Sequence, residues 1–131
     1  MNVSVELSPP SAEVFVAFRT VCGWGDISVG EAEAALRSSI VNVTCQSESG
    51  LIGMGRVVGD GLHVQVVDIA VHPDWQGQGL SRMIMEKIME FVDTLPASTI
   101  VNLFADIDWL YQKFGFVVPE HTTGMSLRRN G

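Results

Sequence analysis

Apolar positions recur along the chain with two different periods. Val3, Val5 and Leu7 alternate with polar residues and predict a short strand over 3–7. Beyond Pro9-Pro10 the spacing widens. Val14, Phe15, Phe18 and Val21 fall at i, i+1, i+4 and i+7, one face of a helix, with Ser11 as its N-cap and Glu13 close by. Gly23-Trp24-Gly25 stops that helix. Ser28 and Glu31 have capping-box spacing and open a second helix, which carries Ala32, Ala35 and Leu36 and ends near Arg37. Segments 39–46 and 51–58, rich in Ile, Val and Leu, predict two strands turned at Ser47-Glu48-Ser49-Gly50. Gly59-Asp60-Gly61 is a hairpin signal. It leads into a third strand, His63 to Val71, whose alternation is mixed. Turns this tight imply an antiparallel meander.

The period then returns to that of a helix. Leu80, Ile84, Ile88, Phe91, Val92 and Leu95 make an amphipathic series over 79–94, with Arg82, Glu86, Lys87, Glu90 and Asp93 on the other face and Pro96 as the stop. Residues 99–104 predict a buried strand, and 107–113 a short helix stopped by Gly115. Segments 116–118 and 125–128 are expected to be final strands. The order βααβββαβαββ predicts an α+β fold, a mixed and mostly antiparallel sheet flanked by helices. No repeat, low-complexity tract or linker interrupts it, so 1–131 is read as a single domain.

Composition narrows the function. Of 131 residues, 47% are hydrophobic and 18% charged, which excludes intrinsic disorder. Eight basic against fifteen acidic residues give 8 − 15 = −7, and Lys87 and Lys113 are the only lysines. A nucleic-acid binder that tracks phosphates is disfavoured. Cys22 and Cys45 match no zinc spacing and read as small buried hydrophobes, and no metal is expected. The first residues lack the pattern of a signal peptide, and no apolar run is long enough to cross a membrane. The expected setting is cytoplasmic, without a membrane partner.

The chemistry concentrates in VVDIAVHPDWQGQGLSR, residues 66–82. An apolar strand enters a glycine-containing turn and then the strongest helix. Gly77 and Gly79 allow close approach of a bulky ligand, and the first helical turn offers unpaired N–H groups at the positive end of the macrodipole. Strand, glycine turn and helix start together form an anion cradle. A plain strand-to-helix turn has the same sequence signs. GxxxxGK[ST] is absent, and GxGxxG fails because Arg82 stands where the third glycine belongs, so a nucleotide or dinucleotide site is disfavoured.

Gln76-Gly77-Gln78-Gly79-Leu80-Ser81 resembles the Q/R-x-x-G-x-G/A signature of the GCN5-related N-acetyltransferase (GNAT) superfamily, with Ser81 in place of the last Gly or Ala. Ile69-Ala70-Val71-His72-Pro73-Asp74 is similar to the strand and turn that lead into it. Leu110-Tyr111-Gln112-Lys113-Phe114-Gly115-Phe116 resembles the family's late Tyr-x-x-x-Gly-Phe segment, although Ala105-Asp106-Ile107-Asp108-Trp109 lacks the Asn often found before it. The resemblance covers nearly the whole chain. It implies a GNAT-like fold and acetyl-coenzyme A as co-substrate. The pyrophosphate would rest on backbone N–H groups of Gln78, Gly79, Leu80, Ser81 and Arg82, with Gln76 and Gly77 shaping the loop. Ile69, Ala70 and Val71 would pair with the pantetheine arm, and one N–H there would support the thioester carbonyl, a contact of a kind worth ~3 kcal/mol.

It further implies direct attack of a primary amine of a small molecule on the thioester. Tyr111, the single tyrosine, falls where the family has its acid. Asp68, a carboxylate in an apolar strand, is the candidate base, water relay or amine anchor. Trp24 is the candidate wall of the acceptor site, near Phe18 and Asp26. His72 is expected on the surface, and His63 and His121 carry no pattern. A non-catalytic acetyl-coenzyme A sensor and a protein or peptide N-acetyltransferase are the alternative readings. Homodimers are common in the family, so a homodimer is open.

Overall fold

The computed structural model describes residues 2–129. Its elements are β1 (Ser4–Glu6), α1 (Ala12–Val21), α2 (Val29–Ser38), β2 (Val41–Ser47), β3 (Gly50–Gly59), β4 (His63–Val71), α3 (Leu80–Val92), β5 (Ile100–Leu103) and α4 (Asp108–Gln112), with a 3-10 turn at Pro73–Trp75. The five strands form one sheet in the order β1-β2-β3-β4-β5. The first four pair antiparallel, and β5 joins β4 in parallel.

The helix starts follow from their caps. Ser11 accepts from the Val14 N–H at 3.2 Å. Ser28 and Glu31 form a complete capping box, the Ser28 hydroxyl on the Glu31 N–H and the Glu31 carboxylate on the Ser28 N–H. Each such cap is worth about 1 kcal/mol. The buried face of α1 is narrower than its sequence suggests. Ala12, Phe15 and Phe18 are buried, whereas Val14 and Val21 are exposed. The latter two lie roughly 100–120° round the helix from Phe15, outside the stripe that meets the sheet.

The sheet separates two apolar clusters. One joins Val43, Cys45, Ile52, Val57, Val64 and Val66 to Leu80, Ile84, Met85 and Ile88 of α3. The other joins Phe15, Phe18, Ala32 and Leu36 of α1 and α2 to Met54. The irregular alternation in β4 has a structural cause. Val64 and Val66 face α3, but so do Ile69 and Val71, while Ala70 faces α1 and α2. One extra residue has reversed the phase. Met54 pairs with Ala70 and Arg56 with Val67, so Gly55 alone opposes Asp68 and Ile69. This is a β-bulge. Asp68 occupies it with φ +57°, the one non-glycine residue with positive φ among the described residues. A Cβ on Gly55 would come within 2.5 Å of the Ile69 side chain and 2.9 Å of Ile88. Glycine opposite the bulge therefore makes the room into which Ile69 folds.

The C-terminal third departs from expectation. Residues 99–104 do not form a buried strand. β5 is the sheet edge, with Ile100 and Phe104 exposed. Segments 116–118 and 125–128 are not strands. Val117 and Leu127 are 80% and 87% exposed. Strand-forming side chains hold no strand without a ladder to join, and the sheet ends at β5.

Candidate active site

The parallel ladder between β4 and β5 stops at Val66↔Leu103. Beyond it the two chains separate, and a cleft of about 820 Å³ opens between the bulged half of β4 and residues 103–113. That is large enough for an extended cofactor arm together with an acceptor. Val66 to Val71, the glycine turn, the start of α3, Trp24 and Tyr111 all line it.

The turn is tied to the end of β4 by Gln76, whose side-chain amide donates to the Val71 carbonyl at 3.3 Å. Gly77 and Gly79 both have φ +80°, the left-handed region that L side chains avoid. A Cβ on either would meet no protein atom within 4 Å, so it would project into open space. Gly79 is the N-cap of α3 and supplies no side-chain bond to the first turn. The Leu80, Ser81 and Arg82 amides thus stand at the positive helix end without a side-chain cap. Gly77, Gly79, Leu80, Ser81 and Arg82 line the cleft, and Gln78 does not. The Arg82 side chain is 68% exposed and paired with Glu86 at 3.3 Å along the helix. It adds little fixed charge to the cradle. A pyrophosphate fits this arrangement through main-chain donors, and the donors suit an acidic chain that has few cations to spare.

Tyr111 stands on α4, half-buried, with its ring edge-on to Phe116 at 6.4 Å between centroids. Burial first, then the nearby Asp106 carboxylate, push its phenol above the ordinary value. It stays protonated at neutral pH and is able to donate.

Trp24 is the one member of the Phe18, Trp24 and Asp26 group that lines the cleft. Phe18 is buried in the core, and exposed Asp26 accepts from the Thr20 hydroxyl at 3.0 Å. Arg19 holds Trp24 in place. Its guanidinium lies 5.5 Å over the indole and 5.8 Å over Phe15, and its Nε donates to the Gly25 carbonyl.

Asp68 lines the cleft as expected, but one oxygen is already engaged. Arg56 Nε donates to its Oδ2 at 2.8 Å. Arg56 is a partner of a candidate site residue that the sequence reading did not single out. It was discoverable as the lone charge of β3, set in an adjacent apolar strand to a lone carboxylate.

His72, expected on the surface, is only partly exposed. Its side chain is 28% exposed, and its Nδ1 accepts from the Asp74 N–H, capping the 3-10 turn. It does not line the cleft. Cys45 is buried as expected, whereas Cys22 reaches the cleft wall. Burial raises the Cys22 thiol above its ordinary value, so it is a poor nucleophile near neutrality. His63 lies at the start of β4 and His121 in the exposed C-terminal segment, both away from the cleft lining. Among the described residues no cluster of three His, Cys, Asp or Glu is placed to hold a metal.

A sheet splayed beside a bulged strand, a glycine turn at a helix start and a tyrosine thus meet in one cleft. The chain belongs to the GNAT acetyltransferase family: the model of the acetyltransferase (GNAT) domain matches residues 10–118. A "Probable Acetyltransferase" of unknown function from meticillin-resistant Staphylococcus aureus has the same fold in its crystal structure. It is 39% identical, covers 96% of this chain and 98% of its own, and superposes with a TM-score of 0.87. An uncharacterized N-acetyltransferase, ycf52, of Porphyra purpurea is 31% identical over 111 residues, 79% of this chain and 63% of its own. GCN5-related N-acetyltransferase 2, chloroplastic, of Arabidopsis thaliana is 38% identical over 85 residues, 61% of this chain and 32% of its own. The chain thus spans less than two thirds of the length of these curated relatives. Among the described residues no helix is long and apolar enough to cross a membrane.

Proposed function

We propose that the protein transfers an acetyl group from acetyl-coenzyme A to a primary amine of a small molecule, by direct attack and in the cytoplasm. The observation that carries this reading is the meeting of three features in one cleft: the uncapped start of α3, the bulged half of β4 and the half-buried Tyr111 phenol. The family supports the use of acetyl-coenzyme A, whose thioester supplies the activated acyl group when bound.

The residues divide the remaining work. Gly77, Gly79 and the Leu80 to Arg82 amides bind the diphosphate. The backbone of Ile69, Ala70 and Val71 has no β5 partner, because the ladder stops at Val66, and it is free to pair with the pantetheine arm. An N–H of this stretch stabilises the negative charge that develops on the carbonyl oxygen. Trp24 and Asp68 bound the acceptor end. With one oxygen committed to Arg56, Asp68 anchors and orients the amine through the other, and the leaving proton passes to water. Tyr111 gives its proton to the departing thiolate sulfur as the carbon–sulfur bond breaks. The high thiol pKa of Cys22 favours direct attack over an acyl-cysteine route.

A panel of small primary amines, amino acids and peptides with acetyl-coenzyme A, read by thiol release, tests this. Turnover on one class of small amine is expected. Turnover on peptides alone would replace the acceptor class. Binding of coenzyme A, read by thermal stabilisation, with no turnover on any amine would favour the sensor reading.

A further inference from the structure

Asp68 is the only non-glycine residue among the described ones with a left-handed backbone, and it lies in the wall of the cleft. Something must hold it there, because L residues favour other conformations. The side chain that reaches it is Arg56, and the pair is largely withdrawn from water, at 13% and 18% side-chain exposure. Arg56 is itself fixed at three further points. One Nη donates to the Ala35 carbonyl at 3.2 Å and to the Ser39 hydroxyl at 2.9 Å, and the guanidinium lies 5.8 Å over Phe15. Ala35 and Ser39 belong to the end of α2, where carbonyls lack intrahelical partners and cations are favoured. Asn42, opposite Arg56 in β2, donates to the neighbouring Leu36 carbonyl at 3.2 Å. The sheet thus caps α2 with two side chains, and one of them continues to the bulge.

We propose that Arg56 is a positioning residue for the acetyl transfer. It ties Asp68 Oδ2 to the last turn of α2, fixes the bulge in its left-handed form and so sets the direction of the remaining Asp68 oxygen and of the β4 backbone beyond it. This rests on the reading of the cleft given above, but it concerns a residue that does not line the cleft. A guanidinium is suited to the task because its planar fork serves three acceptors at fixed angles, which a lysine ammonium on a flexible stem does not do. A buried pair of this kind contributes little net stability against a well-packed apolar replacement, so its purpose is geometry.

Arg56→Met keeps the stem over Phe15 and removes the fork. Steady-state kinetics of this variant are expected to show kcat/KM for the amine reduced ~10-fold or more, while the Kd for coenzyme A by calorimetry changes less than ~3-fold. Arg56→Lys should recover part of the loss. Asp68→Asn, which tolerates the left-handed backbone and keeps an acceptor for Arg56, should lose less than Asp68→Val. A second readout needs no turnover. A strong intraresidue Hα–HN nuclear Overhauser effect at Asp68 marks positive φ, and it should weaken in Arg56→Met. Should Arg56→Met prove too unstable to measure, Arg56→Gln, which removes the cationic fork but keeps a polar stem, carries the same two tests. A kcat/KM within ~2-fold of wild type, or an unchanged Asp68 signal, overturns the proposal. If the wild type acetylates no amine, the functional reading fails, and the Asp68 signal still decides whether Arg56 holds the bulge.

Discussion

The two walls of the cleft are built from different materials. On one side, the bulged half of β4 and the glycine turn present main-chain groups, and α3 behind them is anchored by buried Leu80, Ile84, Met85 and Ile88. On the other, Phe104, Ile107 and Trp109 present exposed side chains and Tyr111 a half-buried one. The first wall is fixed by what the backbone must do to leave a ladder and start a helix. Its donors survive most side-chain replacements. The second wall depends on individual side chains held by a short helix and an edge strand of four residues. Binding of a common, phosphate-bearing cofactor suits the first wall. Proton donation to a leaving group suits the second.

The comparison breaks most completely at Gly79. Gly79→Glu places a side chain in the open cradle, forces a left-handed backbone on it and sets a carboxylate beside the diphosphate. Coenzyme A at about 100 times its wild-type Kd stabilises the folded protein by about 2.7 kcal/mol. In Gly79→Glu that thermal shift is expected to vanish. Retained stabilisation would refute the assignment of the turn. A substitution confined to side-chain chemistry, Ser81→Ala, should leave most of the shift in place.

Tyr111→Phe should separate the walls in the opposite sense. The expected result is kcat lowered more than ~10-fold with coenzyme A affinity nearly unchanged. Turnover at the wild-type rate would remove Tyr111 as the acid. Trp24→Ala should act more weakly, raising the amine KM ~3- to 10-fold through loss of an aromatic wall while kcat moves less. An amine KM equal to that of the wild type would place the acceptor elsewhere in the cleft.

Legibility in the sequence follows the same division. The caps at Ser11 and Ser28, the turn at Asp60 and the course of α3 were legible because each is set by residues within one turn of one another. The glycine turn was legible as backbone geometry. The bulge was not, since a single inserted residue in the run Val66 to Val71 shifts the phase without changing the composition. Arg56 escaped for a related reason: its partner is twelve positions away and meets it only through strand register. The pairing signal was present, as one lone charge in each of two neighbouring apolar strands. At the C-terminal end the run TIVNLF and the pairs Val117-Val118 and Met125-Leu127 carry strand propensity. Whether such segments are covered depends on which strand lies beside them, and that is a property of the whole sheet.

The finest test of the side-chain wall is Asp106→Asn. Tyr111 titrates higher than an ordinary phenol because burial disfavours the phenolate and, secondly, because the Asp106 carboxylate opposes a second negative charge. A raised phenol pKa means that the folded chain holds its proton to higher pH than the unfolded chain does. The associated stability is fully present below the unfolded value of about 10 and is lost as pH rises through the folded one. For an acid catalyst the same shift keeps the proton available across the neutral range and moves the alkaline limb of kcat upward. Removing the Asp106 charge while keeping its shape should lower the Tyr111 pKa, leaving the burial contribution in place. Since Tyr111 is the only tyrosine, phenolate absorbance follows this one residue directly. The absorbance titration and the alkaline limb of kcat should move down together in Asp106→Asn. If the absorbance moves and the kinetic limb does not, the proton that limits turnover is held by another group on this wall.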